Sequence, residues 1–514
     1  MSERIFYITT PIYYVNATPH LGHAYTTILA DTLARFYRLN DYEVFFLTGT
    51  DEHGDKIQRT AAKENVNPKD YVDRIASIFK ETWLEMGITF DNFIRTTDEY
   101  HSNVVCDILK RVYHNNDIYF SEFGGYYCTG CERFYTEKEW VMISEERFCP
   151  DHKTKLEYIK EENYFFKMEK YRPWLLDYIN NNPEFIRPER YKNEILAYLK
   201  EPIGDLCISR PKSRLNWGIT LPFDKNYVTY VWFDALINYI SGLGTAGDNY
   251  KKFWGYAEHL IAKDILKPHA VFWPIMLKSA GLPLYKKLNV HGYWMMATSK
   301  MSKSLDNVVR PLEMGEKYSK DAFRYFLLRE MGFGLDADFK EENLINRLNS
   351  DLADDLGNLF SRSISMVHKY FEGVIPSDNF SYTDDDKIVI DEMNILYERV
   401  FNSMKNFYTN KALEEIWKCI KLLNQYIDHQ APWNLYKKDA IERLKTVLYI
   451  VVDSLRRLAI LLQPFIPESA ERMLDCLAEE KVKDVSMKDN LLFGKLKKGK
   501  KLKESIILFK KVKI

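Results

Sequence analysis

Apolar and polar positions follow two different periods in the first 115 residues of the chain. Residues 5–8 and 43–47 are apolar, β-rich runs, which predict two buried strands. From Leu21 onward, apolar residues recur every three or four positions, and the same period over 55–64 and 69–86 predicts two more helices. Strands that alternate with helices predict an α/β fold with a parallel, doubly wound sheet.

This pattern is interrupted and then replaced further along the chain. Residues 116–225 contain many glycine and proline breaks, which predict a loop-rich insertion in a single α/β domain. Strands are predicted again at 226–233, 259–262 and 287–293. From about residue 340 the helical period dominates and predicts an α-helical bundle. Its predicted helices are 344–369, 387–408, 412–429, 441–462 and 468–480.

Composition narrows the class of protein. The 514 residues are 46% hydrophobic and carry a formal net charge of −1, which argues against a general nucleic-acid coat protein but not against an RNA enzyme with a local basic face. Seven cysteines are too few for a disulfide framework. No apolar run is long enough for a transmembrane helix, and the first residues lack signal-peptide character, so a cytoplasmic protein without a membrane partner is expected.

Two histidines stand at the junction of the first predicted strand and helix. His20 and His23 share one face of the helix N-terminus, and Gly22 leaves room for a ligand against the backbone. At such a corner of a parallel sheet, backbone N–H groups and the helix dipole favour anionic ligands. A polar cap on a solvated helix explains the pair equally well, so the pair alone leaves both interpretations open.

A polar loop after the last predicted strand carries Lys300, Ser302 and Lys303. Taken alone, it is an ordinary solvated loop. Together with the histidine pair, about 280 residues earlier in the chain, it predicts a clamp for a triphosphate. Imidazole and ammonium donors can stabilise the charge that develops on an α-phosphate and on departing pyrophosphate.

A cysteine cluster in the insertion has the spacing of a metal site. Cys128 and Cys131 form one C-x2-C pair, and Cys149 and His152 form a C-x2-H pair 17 residues later. Three thiolates and one imidazole make a closed tetrahedral shell, which predicts one structural Zn²⁺. A single C-x2-C pair could instead be redox-active, but two pairs in a loop-rich insertion favour zinc.

Several motifs resemble the class I aminoacyl-tRNA synthetases. HLGH at 20–23 matches the HIGH motif, and KMSKS at 300–304 matches the second class I signature in full. Further matches narrow the resemblance to the methionyl-tRNA synthetase family and extend over roughly residues 4–480. They are TTPIYYVNATPHLGH (9–23), GTDEHG (49–54), YVWFDA (230–235), HGYW (291–294) and KMSKSLDN (300–307).

The resemblance implies a Rossmann-type parallel-sheet catalytic domain with an inserted zinc-binding connective module, followed by an α-helical bundle. It divides the chain into six segments. These are the first half of the catalytic domain (1–115), the connective insertion with its zinc knuckle (116–225), the second half of the catalytic domain (226–295), a linking fold with the KMSKS loop (296–340), an α-helical anticodon-binding domain (341–482) and a basic C-terminal tail (483–514).

The family's reaction is the attachment of L-methionine to tRNA(Met), initiator and elongator, in two steps. Methionine and ATP give methionyl-adenylate and pyrophosphate, and the aminoacyl group then moves to the 3′-terminal adenosine. The carboxylate needs no activating base, so positioning and charge stabilisation suffice. The resemblance implies catalytic roles for His20, His23, Lys300 and Lys303, ATP contacts from these residues with Gly22 and Ser302, and Mg²⁺ bound with ATP.

The resemblance also implies a methionine pocket. An apolar and aromatic slot suits a polarizable thioether, and the ammonium group needs a carboxylate, expected to be Asp51. Without the motifs, core packing is the simpler explanation for Trp232, Tyr239 and Ile265. The role of Asp264 beside the pocket is left open. The expected pocket residues are Ile12, Tyr14, Asp51, Trp232, Ala235, Tyr239, Asp264, Ile265 and His269.

Anticodon recognition is expected in the helical region. The resemblance assigns it to Asn358, Arg362 and Trp433, because amides and guanidinium groups bind base edges and an indole stacks on a splayed base. Spacing alone favours Trp433 as a cap on the bundle core and Arg362 in a surface ion pair.

The end of the chain carries a lysine-rich segment after the predicted bundle. It is interpreted as a solvated, mobile terminus, with phosphate contact as the alternative. Because no further module follows in this sequence, a monomer is expected, and the segment is a candidate weak substitute for the family's additional tRNA-binding module. Asp306 departs from the usual small or basic residue after KMSKS, which could slow the loop without altering its chemistry.

Parts of this pattern also fit three other functions. Synthetases for valine, isoleucine or leucine carry a larger editing insertion, and cysteinyl enzymes place zinc in the amino-acid pocket. A small nucleotidyltransferase uses the same histidine corner but needs no helical bundle. A non-enzymatic RNA-binding paralogue predicts damaged signatures, whereas His20, His23, Lys300 and Lys303 are all present.

Overall fold

The computed structural model describes residues 4–130, 133–135, 139–151, 153–244, 247–296, 299–300, 309–377, 380–479 and 486–513. These residues form two compact units. The sheet unit contains residues 5–19 and 45–291, and the helical unit contains residue 4, residues 20–44 and the described residues after 291. In the described part of the chain, no helix has the length and apolarity to cross a membrane. The units cut across the six predicted segments, whose boundaries stay predictions.

The strands are numbered in chain order. They are β1 (Ile5–Tyr14), β2 (Glu43–Asp51), β3 (Asn92–Arg95), β4 (Ile118–Cys128), β5 (Arg133–Tyr135), β6 (Val141–Ile143), β7 (Glu146–Phe148), β8 (Glu157–Phe166), β9 (Ile186–Arg187), β10 (Leu206–Cys207), β11 (Ser209–Pro211), β12 (Thr220–Leu221), β13 (Asp224–Thr229), β14 (Ala257–Ala262), β15 (Lys287–His291), β16 (Trp294–Met296), β17 (Ser299–Lys300) and β18 (Ala337–Asp338).

The α-helices are α1 (Leu21–Arg38), α2 (Asp55–Lys63), α3 (Pro68–Glu85), α4 (Glu99–His114), α5 (Arg172–Asn181), α6 (Glu189–Leu199), α7 (Val231–Ala235), α8 (Asn238–Ser241), α9 (Asp248–Phe253), α10 (Trp273–Ser279), α11 (Pro311–Tyr318), α12 (Lys320–Glu330), α13 (Glu341–Arg347), α14 (Asn358–Phe371), α15 (Asp384–Lys405), α16 (Thr409–Gln430), α17 (Pro432–Lys437), α18 (Ile441–Leu462), α19 (Pro467–Cys476) and α20 (Met487–Asn490). Short 3₁₀ turns (Glu169–Tyr171, Trp254–Tyr256 and Lys263–Ile265) and π-helical segments (Pro268–Phe272 and Leu348–Gly357) connect some of them.

The predicted parallel sheet is confirmed. Its six strands lie in the order β3-β2-β1-β14-β15-β9. β1 pairs in parallel with β14 through Tyr7 opposite Ala257, although about 250 residues separate them, and β14 pairs in parallel with β15. Such strands are apolar on both faces because helices cover the sheet on both sides. The predicted α/β fold class, with a helical region after it, is therefore correct.

The strand predicted at 226–233 does not join the parallel sheet, so this part of the prediction is wrong. β13 covers part of it but pairs antiparallel with β11 and β12 in a separate three-stranded sheet, and α7 begins at Val231. The predicted insertion also contributes to the main sheet, because β9 pairs in parallel with β15 and the apolar sides of α5 and α6 join its core. A hydrophobic period shows which face of a strand is buried, but not which strand lies beside it.

The rest of the insertion forms antiparallel sheets. β4 and β8 pair over ten residues, from Ile118 opposite Phe166 to Tyr127 opposite Glu157, within a four-stranded sheet of order β10-β8-β4-β5. β6 and β7 form a small hairpin. We call residues 118–166, from the start of β4 to the end of β8, the arm. Its sequence contains the predicted cysteine cluster.

The helical unit agrees closely with the predicted helices. α18 has the predicted limits, and α15 and α16 each begin three residues earlier than predicted. The predicted helix 344–369 is one helical stretch, 341–371, with a π-helical segment in the middle. Regular apolar periods fix such boundaries well, whereas a π-helical turn leaves no mark on the hydrophobic pattern.

The expected solvated terminus is wrong for residues 486–513. Met487, Leu491, Leu496, Leu502 and Phe509 are buried against the helical unit. The buried carboxylate of Asp453 accepts the backbone N–H groups of Gly494 and Leu496, each at 3.1 Å. The many lysines make the sequence of this segment look solvated. The apolar residues between them, however, pack on the helices.

A buried ion pair joins two distant segments of the helical unit. Asp31 on α1 and Arg324 on α12 are 0% and 1% exposed, and Arg324 Nη2 lies 2.8 Å from Asp31 Oδ2. Arg35 Nε also donates to Asp31 Oδ2, at 2.8 Å, and Arg324 donates to the carbonyl oxygens of Pro464 and Phe465. Because both charges are removed from water, each depends on its partner.

We expect Asp31→Ala to lower the free energy of unfolding by about 3–5 kcal/mol, because it leaves the Arg324 guanidinium buried without its carboxylate. Urea unfolding monitored by circular dichroism measures the loss. The matched control is Asp41→Ala, whose ion pair with Arg4 is half exposed and should contribute less than about 1 kcal/mol. The double variant Asp31→Leu, Arg324→Met should regain most of the loss, and equal losses in Asp31→Ala and Asp41→Ala would refute this account.

Candidate active site

His20 and His23 form the N-terminal cap of α1. The Nδ1 atom of His20 accepts the N–H of Gly22 at 3.0 Å, and the His20 N–H donates to Nδ1 of His23 at 3.4 Å. The two rings stack with centroids 3.7 Å apart. Because each Nδ1 accepts a backbone N–H, each neutral ring carries its proton on Nε2 and presents a donor there. The pair is therefore a polar helix cap, and its Nε2 donors lie at the positive end of α1; anion binding there stays a prediction.

Gly22 leaves space for the capping ring of His20. A Cβ added at this position would lie 3.0 Å from Cε1 and 3.2 Å from Nδ1 of His20. A larger residue would thus press against the ring of the capping histidine. The expected role of Gly22, close approach of the backbone, applies here to the histidine itself.

The KMSKS loop is only partly described. Lys300 ends β17, where its backbone pairs with Met295 of β16. Ser302, Lys303 and Asp306 lie outside the described residues, as does the rest of the loop up to residue 308. The predicted roles of these side chains stay predictions.

Three of the expected pocket residues, Tyr239, Ile265 and His269, lie together in the structure. Tyr239 Oη lies 2.6 Å from His269 Nε2, and His269 Nδ1 lies 2.9 Å from the carbonyl oxygen of Ile265. Since a carbonyl only accepts, His269 donates from Nδ1, and Nε2 accepts the tyrosine hydroxyl. Burial lowers the pKa of His269 to about 4 and raises the pKa of Tyr239. The pair is therefore neutral at physiological pH.

A second buried histidine, His259, was not predicted as part of the site. Its ring lies 4.0 Å from that of Tyr239. Trp273 Nε1 donates to His259 Nε2 at 3.2 Å, so Nδ1 carries the proton and donates to Thr9 Oγ1 at 2.8 Å. Burial lowers its pKa well below the usual value. In the sequence, His259 was only the first residue of a predicted strand, and nothing there indicated its burial.

The remaining pocket candidates lie at strand ends of the sheet unit. Asp51 is the last residue of β2 and is only 9% exposed, and its carbonyl oxygen accepts the N–H of Val15 at 3.2 Å. Ile12 and Tyr14 lie near the end of β1 and are half-buried, and the Lys56 ammonium lies 6.0 Å from the Tyr14 ring. Asp264 is exposed in a 3₁₀ turn.

Trp232 and Ala235 lie on α7 on either side of a buried carboxylate that the sequence reasoning missed. Asp234 Oδ2 lies 2.6 Å from His53 Nδ1, and Asp234 Oδ1 lies 2.7 Å from His101 Nε2. Burial alone raises the pKa of Asp234, but the two imidazoles outweigh it and hold the pKa below the usual value. His101 lies on α4, whose sequence offered no functional motif. Asp234 and His53 both belong to motifs that carried the resemblance, which was the available signal.

Glu52, between Asp51 and His53, is fully buried and has its own partners. Arg95 binds both of its carboxylate oxygens, at 2.7 and 2.8 Å, and Trp217 Nε1 donates to its carbonyl oxygen at 2.6 Å. Consecutive residues of GTDEHG therefore have different tasks. Glu52 fixes the loop, and His53 connects it to Asp234.

Two of the four predicted zinc ligands are described. Cys128 and Cys149 are 1% and 0% exposed and belong to one small buried cluster with Tyr135 and Leu156. Both contact Thr154, whose hydroxyl lies 3.8 Å from Cys128 Sγ and whose carbonyl oxygen accepts the Cys149 N–H at 2.9 Å. Cys131 and His152 lie outside the described residues. Within those that are described, three or more metal-binding side chains do not come together.

The anticodon candidates are exposed or half-buried. Asn358 is exposed at the start of α14, and Trp433 on α17 is 40% exposed. Arg362 does form an ion pair, with Asp428 at 2.8 Å, and it also donates to the Asn424 side chain at 2.9 Å. Since Asp428 lies near the end of α16 and α17 follows directly, Arg362 and Trp433 both belong to this end of the bundle.

Stability should depend on pH through His269. Its pKa is about 4 in the folded state and about 6.5 in the unfolded chain. Between these values only the unfolded chain binds the proton, so stability falls as pH falls from about 6.5 to 4, by at most about 3 kcal/mol. We expect His269→Gln, whose amide can keep both hydrogen bonds, to reduce the slope by up to about 1.4 kcal/mol per pH unit.

Urea unfolding between about pH 4 and about pH 7.5, an interval that contains both pKa values, measures that slope. His114→Gln, at an exposed position on α4, serves as the matched control. An unchanged slope in His269→Gln would show that His269 does not carry this proton linkage.

The comparisons with known proteins agree with the geometry. The family described as "tRNA synthetases class I (M)" matches residues 6–156 and 146–364. The family described as "Anticodon binding domain of methionyl tRNA ligase" matches residues 375–513.

Individual relatives match over nearly the whole chain. A methionine–tRNA ligase of Caldanaerobacter subterraneus subsp. tengcongensis is 45% identical over 516 residues, covering 100% of this chain and 80% of the relative. The Bacillus subtilis methionine–tRNA ligase is 43% identical over 96% of this chain and 76% of its own length. A structure of Mycobacterium tuberculosis methionyl-tRNA synthetase, in complex with methionyl-adenylate, has a TM-score of 0.94 at 37% identity and covers 98% of this chain and 99% of its own. The chain thus belongs to the methionyl-tRNA synthetase family of class I.

Proposed function

We propose that the protein is an ATP-dependent methionine–tRNA ligase that attaches L-methionine to the initiator and elongator forms of tRNA(Met). The observation that carries the proposal is the full-length match to methionine–tRNA ligases. It forms methionyl-adenylate and pyrophosphate, and then transfers the aminoacyl group to the 3′-terminal adenosine of the tRNA.

The methionine pocket is proposed to consist of Tyr239, His269 and the other predicted pocket residues of the sheet unit. The neutral Tyr239–His269 pair supports this. A charged imidazole would hold water strongly, whereas a neutral and already hydrogen-bonded ring lets an apolar thioether replace that water. Asp51 is proposed to bind the ammonium group. Its position at the end of a parallel strand, only 9% exposed, suits a charge-assisted hydrogen bond.

The network around Asp234 is proposed to position this pocket. Trp232 and Ala235 flank Asp234 on a helix of only five residues. His53, two residues after Asp51, binds the same carboxylate. This hydrogen bond is proposed to hold the strand end that carries Asp51 at a fixed distance from Trp232 and Ala235, as productive binding requires.

ATP is proposed to bind through His20, Gly22 and His23 with Lys300, Ser302 and Lys303. The capped rings support this, because their Nε2 donors and the N-terminus of α1 both favour negative charge. As the methionine carboxylate attacks the α-phosphate, charge builds on the phosphate oxygens and on the leaving pyrophosphate. Pre-oriented imidazole and ammonium donors stabilise that charge without a proton transfer. Mg²⁺ bound with ATP supplies further neutralisation of the phosphates.

tRNA(Met) is proposed to be recognised through Asn358, Arg362 and Trp433 of the predicted anticodon-binding domain. The exposed indole supports stacking on a base. Arg362 is held by Asp428 and Asn424, so its guanidinium is oriented before the RNA arrives.

Zinc is proposed to bind Cys128, Cys131, Cys149 and His152 as a structural ion. The two described thiols fit this assignment because both are buried next to Thr154 in an arm with a very small apolar core. Such an arm gains its stability from a metal rather than from burial. A cytoplasmic monomer is proposed as well. Cytoplasmic ATP and tRNA are its substrates, and the described cysteines outside the knuckle are free.

Exchange of labelled pyrophosphate into ATP, with each of the twenty amino acids and without tRNA, tests the proposed function. We expect exchange with methionine alone. Exchange with a different amino acid would overturn the pocket assignment, and no exchange with any of them would overturn the proposed adenylate-forming activity in the absence of RNA.

The pocket assignment is tested in the same assay with Asp51→Asn. Loss of a hydrogen bond to a charged group, worth about 1.5–3 kcal/mol, should raise the KM for methionine roughly 10- to 150-fold with little effect on the KM for ATP. Asp107→Asn, which removes an exposed carboxylate on α4, is the matched control. Equal KM values for methionine in both variants would reject Asp51 as the ammonium partner.

Zinc content tests the metal proposal. Purified protein should hold roughly one zinc per chain, and Cys128→Ser or Cys149→Ser should lose it, because a closed tetrahedral site needs all four ligands. Inductively coupled plasma mass spectrometry measures the metal. Cys419→Ser, at a buried cysteine of the helical unit, should retain it. A wild-type protein purified in zinc-containing buffer and still free of zinc would rule out the site.

A further inference from the structure

A strip of exposed lysines lies on a folded part of the chain that no function above uses. Between residues 495 and 513 there are nine lysines and one glutamate, in a chain whose formal net charge is −1. We define the lysine strip as Lys495, Lys497, Lys498, Lys500, Lys501 and Lys503. All are exposed except Lys500, which is half-buried.

The backbone beneath the strip is held in place by specific hydrogen bonds. Asp453 accepts the N–H groups of Gly494 and Leu496. Arg456, ion-paired with Asp453 at 3.1 Å, donates to the carbonyl oxygens of Asn490 and Leu492. Both charged side chains are buried, at 0% and 2% exposed. A segment fixed in this way presents its lysines at set positions rather than as a mobile tail.

The segment that carries the strip continues along α14, the helix of Asn358 and Arg362. Lys501 forms an antiparallel bridge with Val374, just after α14 ends. Further on, the carbonyl oxygen of Lys503 accepts from His368 Nε2 at 2.9 Å, and Ser505 Oγ donates to the carbonyl oxygen of Ser361 at 3.2 Å. The segment therefore runs antiparallel to α14 and reaches the residue next to Arg362.

The charges on the strip are only partly neutralised. Lys503 pairs with Asp475 at 2.6 Å, and the Lys498 ammonium lies 4.5 Å from the Phe380 ring. In the part of the chain that the structure describes, Lys495, Lys497, Lys500 and Lys501 have no carboxylate within ion-pair distance. A row of ordered, unneutralised ammonium groups next to a base-reading helix is a footprint for phosphates.

We propose that the lysine strip binds the phosphate backbone of the tRNA whose anticodon is read from α14 and α17. This proposal rests on the proposed function and deepens it. Phosphate contacts orient an RNA without reading its sequence, so the strip provides affinity and register, while Asn358, Arg362 and Trp433 provide the discrimination. The charge-assisted contacts are made by compact ammonium groups on flexible stems, which suit a backbone of varying sequence.

The test is the triple variant Lys497→Gln, Lys500→Gln, Lys501→Gln in the full chain. Glutamine keeps much of the side-chain stem and removes the charge. We expect tRNA(Met) to bind roughly 5- to 50-fold more weakly at about 0.1 M salt. The slope of log affinity against log salt should fall by about 0.7–0.9 for each phosphate that the variant no longer neutralises.

The matched control is Lys405→Gln, Lys411→Gln, Lys418→Gln. It removes the same charge from exposed positions in the same unit, Lys405 at the end of α15 and Lys411 and Lys418 on α16. Affinity and salt slope of the control should stay close to those of the wild type. Urea unfolding midpoints of both triple variants verify that neither loses its fold.

A second comparison separates the strip from anticodon reading. The strip variant should lose the same factor in affinity for tRNA(Met) and for a tRNA with a different anticodon, whereas Trp433→Ala should weaken only tRNA(Met). Loss of tRNA(Met) binding alone in the strip variant would overturn the proposal. A strip variant that equals the control in tRNA affinity and salt slope would also overturn it. The same holds if the strip variant binds tRNA normally and loses only its binding to anionic lipid vesicles.

Pyrophosphate exchange with methionine needs no tRNA, so it separates this proposal from the proposed function. If the strip variant keeps both its pyrophosphate exchange and its tRNA binding, only the proposal for the lysine strip is rejected. Absence of exchange in the wild type, both without tRNA and with tRNA(Met) added, rejects the proposed function itself.

Discussion

The hydrogen bonds from two imidazoles to the buried carboxylate of Asp234 are the interaction on which the candidate pocket depends. They connect the loop after β2, helix α4 and helix α7, three segments that lie far apart in the chain. A carboxylate that is 1% exposed is stable in its charged form only while such donors surround it. Removing one partner would therefore leave a buried charge without a donor. While both bonds are present, they anchor the five-residue helix α7, which carries Trp232 and Ala235.

The same constraint, that a buried polar group must have a partner, sets the chemistry of the pocket. His259 and His269 are each bound on both ring nitrogens, which fixes their tautomers and favours the neutral ring. The result is an aromatic region whose polar atoms are already satisfied. This arrangement suits the proposed methionine pocket, in which an apolar thioether leaves none of these ring nitrogens unpaired and the ammonium group is assigned to Asp51.

In the helical unit, buried charges have a different role. The ion pair of Asp31 and Arg324 joins α1 to α12. The pair of Asp453 and Arg456 lies within α18. Hydrophobic burial alone would not align such segments in register. Asp453 and Arg456 bind backbone groups of the C-terminal segment, so the lysine strip inherits the rigidity of α18. An unstructured segment of the same composition would lose its conformational freedom on binding RNA, whereas this one is ordered beforehand.

The sequence by itself determined the element types, the α/β class, the helical bundle and the signature residues. Buried strands leave continuous apolar runs, and helices leave a period of 3.6, as the agreement of α18 with its predicted limits shows for a helix. Motif residues such as His20 and His23 can be recognised without knowing their neighbours. Tertiary structure alone decided which strands pair, as for β9 and β13, and which buried groups meet, as for Asp234 with His101 and Asp453 with the C-terminal segment. Pairing and burial depend on contacts between residues distant in the chain, and a one-dimensional pattern records the character of each position but not its partner.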